Sequence, residues 1–180
     1  MIERKEYLDS LIRWKDKQVI KVITGIRRCG KSTLMELFQE YLLNNGVLPE
    51  RIIAVNLEDY ANEELKDPKA LHAYVMEHAA KDKRTYVFLD EIQNVKDFPP
   101  MVDSLFIKKN LDLYITGSNA YMLSGELATF LSGRYVTIEM LPLSFAEYIS
   151  WTGDTKELSR KYAEYLETSS FPYVTELNGD

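Results

Sequence analysis

Apolar positions along the chain fall into two kinds of stretch, and the way these alternate sets the expected fold. Short, β-branched runs at 18–24, 51–57, 85–89, 111–116 and 134–140 read as strands. Between them lie longer segments with helical spacing. Residues 2–16 bring Tyr7, Leu8, Leu11, Ile12 and Trp14 toward one side of a helix. Residues 31–44 form a second helix, stopped by Asn44-Asn45-Gly46. Further helices are expected over 68–82, 98–108, 120–132 and 156–168, with Pro68 and Pro99-Pro100 in the first turns of the first two. Another begins in Pro142–Ile149, with Ser144 as N-cap and Glu147 three residues later, a capping box. This alternation predicts an α/β domain.

The first strand runs directly into Gly25-Ile26-Arg27-Arg28-Cys29-Gly30-Lys31-Ser32-Thr33, and a helix follows at once. The segment reads G-x-x-x-x-G-K-S, the phosphate-binding P-loop or Walker A pattern, in the strand–loop–helix context the pattern requires. A triphosphate carries several negative charges close together. Backbone N–H groups of the loop and of the helix N-terminus can face it without side-chain rotamer cost, and the helix dipole favours the anion. Gly25 and Gly30 are expected to allow backbone angles a Cβ would penalise. Ile26, Arg27, Arg28 and Cys29 complete the cradle. Lys31 is the candidate for the β- and γ-phosphates, Ser32 for Mg²⁺, and Thr33 for one more donor toward the α-phosphate.

The strand at 85–89 ends in Asp90-Glu91, four apolar residues followed by two carboxylates. Taken alone this Walker B pattern is weak; downstream of a P-loop, after an intervening βα unit, it is strong. Ligands of open α/β sheets bind at the carboxyl ends of the strands. Asp90 is the candidate to hold Mg²⁺ through water, and Glu91 to orient or deprotonate an attacking water. The fourth strand ends in Gly117-Ser118-Asn119, where Asn119 and Ser118 are candidates to touch the γ-phosphate; the same residues also make an ordinary turn. Arg134 opens the fifth strand. It is either a charge-stabilising finger, acting in cis or toward a neighbouring copy, or an ion pair at a strand start.

Composition narrows the alternatives. At 180 residues the chain holds one domain, or one and part of a second. Residues 1–40 carry nine Lys/Arg against six Asp/Glu, and the remainder thirteen against twenty-two. That balance counts against direct DNA binding by this domain, unless through the patch Lys15, Lys17, Lys21, Arg27 and Arg28. No apolar run approaches the ~20 residues that span a bilayer, so no membrane partner is expected. The N-terminus lacks the apolar core of a secretory leader. Cys29 is the single cysteine, so no intrachain disulfide forms, and the cytoplasm is the expected compartment. His72 and His78 are six apart on one helix and do not suit a shared metal.

With these pieces placed, the chain resembles the bacterial and archaeal AAA-superfamily ATPases whose P-loop domain precedes a separate C-terminal domain of uncharacterised role. The resemblance rests on Gly25 to Thr33 with its paired arginines, Phe88-Leu89-Asp90-Glu91-Ile92-Gln93 and Thr116-Gly117-Ser118-Asn119-Ala120. Leu131-Ser132-Gly133-Arg134 and Leu141-Pro142-Leu143-Ser144-Phe145-Ala146-Glu147-Tyr148 are its most specific parts. It implies a three-layer P-loop NTPase with a central, mostly parallel five-stranded sheet in the AAA-type order 5-1-4-3-2. Residues 1–150 would be the ATPase domain. Residues 151–180 would be a helical extension opening a C-terminal region, which similar proteins continue for roughly another domain length. Ser169-Ser170-Phe171-Pro172 stands where the family usually carries Gly-Gly before Phe-Pro.

Lys31, Ser32, Asp90 and Glu91 together point to Mg²⁺-dependent ATP hydrolysis, with ATP and Mg²⁺ as cofactors. ATP is preferred to GTP because no N-K-x-D-type guanine motif is present. Two alternatives stand beside it: a nucleotide-gated switch with negligible turnover, and a small-molecule P-loop kinase. Glu91 beside the metal aspartate argues against the kinase. Expected partners are the nucleotide, a further copy through Arg134, and an unidentified protein or DNA.

Overall fold

The computed structural model describes residues 4–118, 131–152 and 157–168. Five strands form the sheet: β1 (Ile20–Gly25), β2 (Ile52–Asn56), β3 (Thr85–Asp90), β4 (Leu111–Ser118) and β5 (Tyr135–Met140). The helices are α1 (Lys5–Trp14), α2 (Lys31–Asn44), α3 (Pro68–His78), α4 (Phe98–Phe106), α5 (Phe145–Thr152) and α6 (Leu158–Thr168). Most of the helix expected at 120–132 lies outside the described residues.

The strand order is β2-β3-β4-β1-β5, the expected order read from the other edge, and every pairing is parallel. All carboxyl ends therefore share one rim, where Gly25 lies level with Ser118 on one side and Met140 on the other. β4 separates β1 from β3. Two strand spacings, about 9–10 Å, thus lie between the strand that feeds the P-loop and the strand that carries Asp90.

Side-chain alternation assigns the two faces. Ile23, Tyr86, Phe88, Tyr114, Ile138 and Met140 face α1 and α2. Val22, Val55, Val87, Leu89, Leu113 and Ile115 face α3 and α4. β1 and β3 are buried throughout, as expected of central parallel strands flanked on both sides. α2 packs through Leu34, Met35, Phe38 and Leu42. Full burial of such side chains stabilises by about 1.5–3 kcal/mol each, which fixes the helix against the sheet. The Phe38 ring sits 5.0 Å from Tyr114, and Tyr114 4.9 Å from Phe88. α2 closes in a Schellman motif: Gly46 takes φ 83°, Val47 N–H donates to Leu42 O, and Gly46 N–H to Leu43 O.

Beyond β2, Tyr60–Lys66 forms 3₁₀ turns begun by Asp59, whose carboxylate accepts from Ala61 N–H. One expectation changes. Lys21 belongs to no surface patch. It is fully buried and ion-paired with Asp112, which also accepts from Tyr114 Oη and Asp16 N–H at 2.9 Å each. Desolvation dominates there and holds the Lys21 ammonium below its ordinary value, with Asp112 opposing it. Lys15 is paired with Asp16, and Arg27 with Glu58. The basic run at the N-terminus is thus largely spent on internal and surface pairs.

Candidate nucleotide site

The P-loop joins β1 to α2, and its two glycines serve different needs. Gly30 takes φ 98°, a left-handed angle suited to glycine, and delivers the chain into α2. Gly25 is required by close approach. A Cβ there would lie 2.6 Å from the Met140 carbonyl oxygen and 2.6 Å from Cys29 Sγ. Cys29 is fully buried in that contact, and burial pushes its thiol up, away from the reactive thiolate. Arg28 also adopts a left-handed angle, φ 68°. Ile26, Arg27 and Arg28 are exposed at the loop crest. No side chain caps the N-terminus of α2, and its first turn holds no acidic residue, so its free N–H groups suit an anion. Ser32 and Thr33 stand in that turn, Ser32 exposed and Thr33 half-buried.

Lys31 is buried, yet its ammonium reaches across the rim. Nζ donates to the carbonyls of Gly25 at 3.4 Å and Ile26 at 3.3 Å, and lies 3.6 Å from Glu91 Oε1. The carboxylates are positioned by β3, β4 and the turn that follows β3. Thr116 Oγ1 donates to Asp90 Oδ1 and accepts from Glu91 N–H at 2.8 Å. That second bond helps hold Glu91 in a left-handed conformation (φ 55°, ψ 52°), which costs about 1–3 kcal/mol in a non-glycine residue. Gln93 Nε2 donates to Glu91 Oε2. Lys31, Asp90, Glu91 and Thr116 thus converge on the carboxyl rim beside β4.

Other candidates fall elsewhere. Ser118 ends β4, half-buried; Asn119 lies outside the described residues. Arg134 does not join the cluster. It precedes β5 at the opposite end of the sheet, where its carbonyl accepts from Ile20 N–H and its guanidinium pairs with Asp103 of α4. The expectation of a finger acting in cis is corrected by this placement, because a parallel strand carries its first residue a full strand length from the rim. The histidines share nothing: His72 bonds Ser104, and His78 bonds the Tyr74 carbonyl.

Sequence reasoning assigns no role to Thr116, Gln93 or Arg4. Thr116 and Gln93 lie inside the stretches that carry the resemblance; Gln93 meets Glu91 two residues before it, but only the strand order brings Thr116 to Asp90. Asp90 and the Ser32 hydroxyl each offer a hard oxygen at the carboxyl rim. This suits Mg²⁺, which binds through one or two protein oxygens and keeps its other positions for phosphate and water. Among the described residues no group of three or more His, Cys, Asp or Glu forms a metal cage.

The fold is that of the P-loop NTPases, with the AAA-type strand order. Residues 17–149 match the family described as AAA domain, and the chain belongs to that family. An uncharacterized protein of Haemophilus influenzae is 40% identical over 178 residues, covering 97% of this chain and 44% of its own length. An uncharacterized protein of Methanocaldococcus jannaschii, MJ1544, is 33% identical over 172 residues, covering 87% and 36%. The chain therefore spans less than half the length of the curated relatives it matches. Among solved structures, AMPPCP-bound DnaA from Aquifex aeolicus aligns with TM-score 0.60 at 16% identity, over 95% of this chain and 57% of that one. A Walker-type ATPase of Pyrococcus abyssi aligns with TM-score 0.61 at 16% identity, over 100% and 69%. The Saccharomyces cerevisiae Hsp104–ADP complex aligns with TM-score 0.62 at 18% identity, over 85% and 24%. Family and fold support a nucleotide-binding, ATPase-like role. No helix among the described residues is long and apolar enough to cross a membrane.

Proposed function

We propose that this chain is a magnesium-dependent ATPase domain whose hydrolysis drives a conformational or partner-directed task. The observation that carries the reading is the Lys31 ammonium, 3.6 Å from the Glu91 carboxylate at the rim. The loop N–H groups and the N-terminus of α2 would hold the phosphates, and Lys31 would leave its carbonyl partners to neutralise the β- and γ-oxygens. Thr33 would add a donor toward the α-phosphate. Magnesium held by Ser32 and, through water, Asp90 would supply Lewis-acid stabilisation of phosphoryl charge. Glu91, kept in place by Thr116 and Gln93, would orient water for in-line attack and take its proton.

A second reading, a nucleotide-gated switch with negligible turnover of its own, is favoured by one observation: Arg134 stands at the far end of the sheet in its pair with Asp103. An arginine supplied by a neighbour can be worth about 10³–10⁵ in rate. Phosphate release from ATP, measured without any acceptor and across protein concentrations, separates the readings. Release that requires Mg²⁺ and rises faster than linearly indicates an ATPase completed by self-association. Slow, linear release indicates the switch, and release only with an added acceptor indicates a kinase.

A further inference from the structure

Arg4 precedes α1, yet it is only 3% exposed. Its Nη1 donates to the Cys29 carbonyl at 2.9 Å, its Nη2 to the Leu141 carbonyl at 2.6 Å, and its Nε to Glu147 Oε1 at 2.7 Å. The guanidinium also lies over the Tyr7 ring, 4.8 Å from its centroid, and the Tyr7 hydroxyl accepts from Leu141 N–H at 3.2 Å. One buried cation therefore joins the P-loop, the turn after β5 and α5. Burial of a charge is costly unless it is matched and its donors are used, and here Glu147 matches it while two carbonyls take further donors. Glu147 is itself fixed: its other oxygen accepts from Ser144 N–H at 2.8 Å and Ser144 Oγ at 2.9 Å.

The carbonyl that Arg4 holds belongs to the peptide between Cys29 and Gly30. That peptide is trans, so its C=O and its N–H point in opposite directions. Gly30 tolerates either sign of φ, so without a tether this peptide could turn over at little cost. We propose that Arg4 is a positioning residue for phosphate binding. By holding the Cys29 carbonyl outward it turns the Gly30 N–H toward the nucleotide phosphates, and through Glu147 it ties that orientation to α5. The proposal rests on the nucleotide-site reading above. Lysine would not replace Arg4, because a single ammonium cannot bridge two carbonyls and a carboxylate with fixed geometry.

The test uses the full chain labelled with ¹⁵N-glycine, titrated with Mg·ATP below its melting temperature. In the wild type, the Gly30 amide resonance shifts on binding. In Arg4→Lys, Mg·ATP affinity falls at least tenfold, and the Gly30 shift at saturation is reduced. In Glu147→Gln, whose link to the P-loop among the described residues runs through Arg4, affinity falls at least threefold with a smaller Gly30 shift. A wild type that binds no Mg·ATP sinks the nucleotide reading itself. A wild type that binds, with a folded Arg4→Lys keeping affinity within threefold and an unchanged Gly30 shift, overturns the role of Arg4 and leaves that reading standing. If Arg4→Lys does not fold, Glu147→Gln decides: unchanged affinity and shift overturn the proposal.

Discussion

The Lys31 ammonium lies 3.6 Å from Glu91 Oε1, although β4 stands between the strands that lead to them. This pair places a carboxylate directly beside the expected phosphate position. Glu91→Gln removes a negative charge there and frees Lys31, so Mg·ATP affinity should be equal to the wild type or higher. Turnover should fall by about 10²–10⁴, the usual contribution of a general base. A filter-binding or fluorescence titration beside a phosphate-release assay checks both; retained turnover removes Glu91 from the mechanism.

Thr116 is expected to matter to both carboxylate residues. Thr116→Val keeps the shape but leaves Glu91 N–H and Asp90 Oδ1 without that hydroxyl. The loss should cost about 1–3 kcal/mol in urea unfolding. The Mg²⁺ concentration for half-maximal turnover should also rise, and Thr116→Ser should restore it. A Val variant with an unchanged Mg²⁺ midpoint would show that the hydroxyl does not set the Asp90 carboxylate.

Gly25→Ala should destabilise by about 1–3 kcal/mol and weaken Mg·ATP binding, because the added methyl meets the Met140 backbone carbonyl as well as Cys29 Sγ. The double variant Gly25→Ala with Cys29→Ala relieves only the sulfur contact. It should therefore not recover. Full recovery in denaturant melts would assign the constraint to the side chain alone.

Alkaline unfolding should report the buried network under α2. Burial first, then the Asp112 carboxylate, pushes the Tyr114 phenol far above its ordinary value of 10.0. The folded state thus keeps a proton that the unfolded chain releases. This contribution to stability is fully present below about pH 10 and is lost as pH rises above it. Tyr114→Phe should be less stable at pH 8 by about 1 kcal/mol, having lost its bond to Asp112, and its stability should fall less steeply from pH 10 to 11.5. Unfolding midpoints across that range measure the slope; identical slopes would contradict the assignment.

Much of this was legible in one dimension. The P-loop glycines, the helix stop at Gly46, the capping box at Ser144 and Glu147, and Asp90-Glu91 at a strand end are local patterns, and each lies where its pattern predicts. What was not legible depends on which strands become neighbours. Spacing alone does not show that β4 separates β1 from β3, and so it does not show that Thr116 meets Asp90. Lys21 reads as one more surface cation until parallel pairing of β1 with β4 brings Asp112 within reach of its ammonium. Arg134 reads as a site arginine until parallel pairing with β1 carries it to the other end of the sheet. Arg4 carries no local signal, because its partners Cys29, Leu141 and Glu147 are distant in sequence.

The central claim is that a single curled backbone segment cups a polyphosphate with Lys31 as its cation. Calorimetric titration of ATP into the wild type and Lys31→Ala, with Mg²⁺ and with EDTA, tests it most directly. The account predicts tight, magnesium-enhanced binding by the wild type and a loss of at least tenfold in Lys31→Ala. Equal affinity in the two proteins, or none in either, would contradict it.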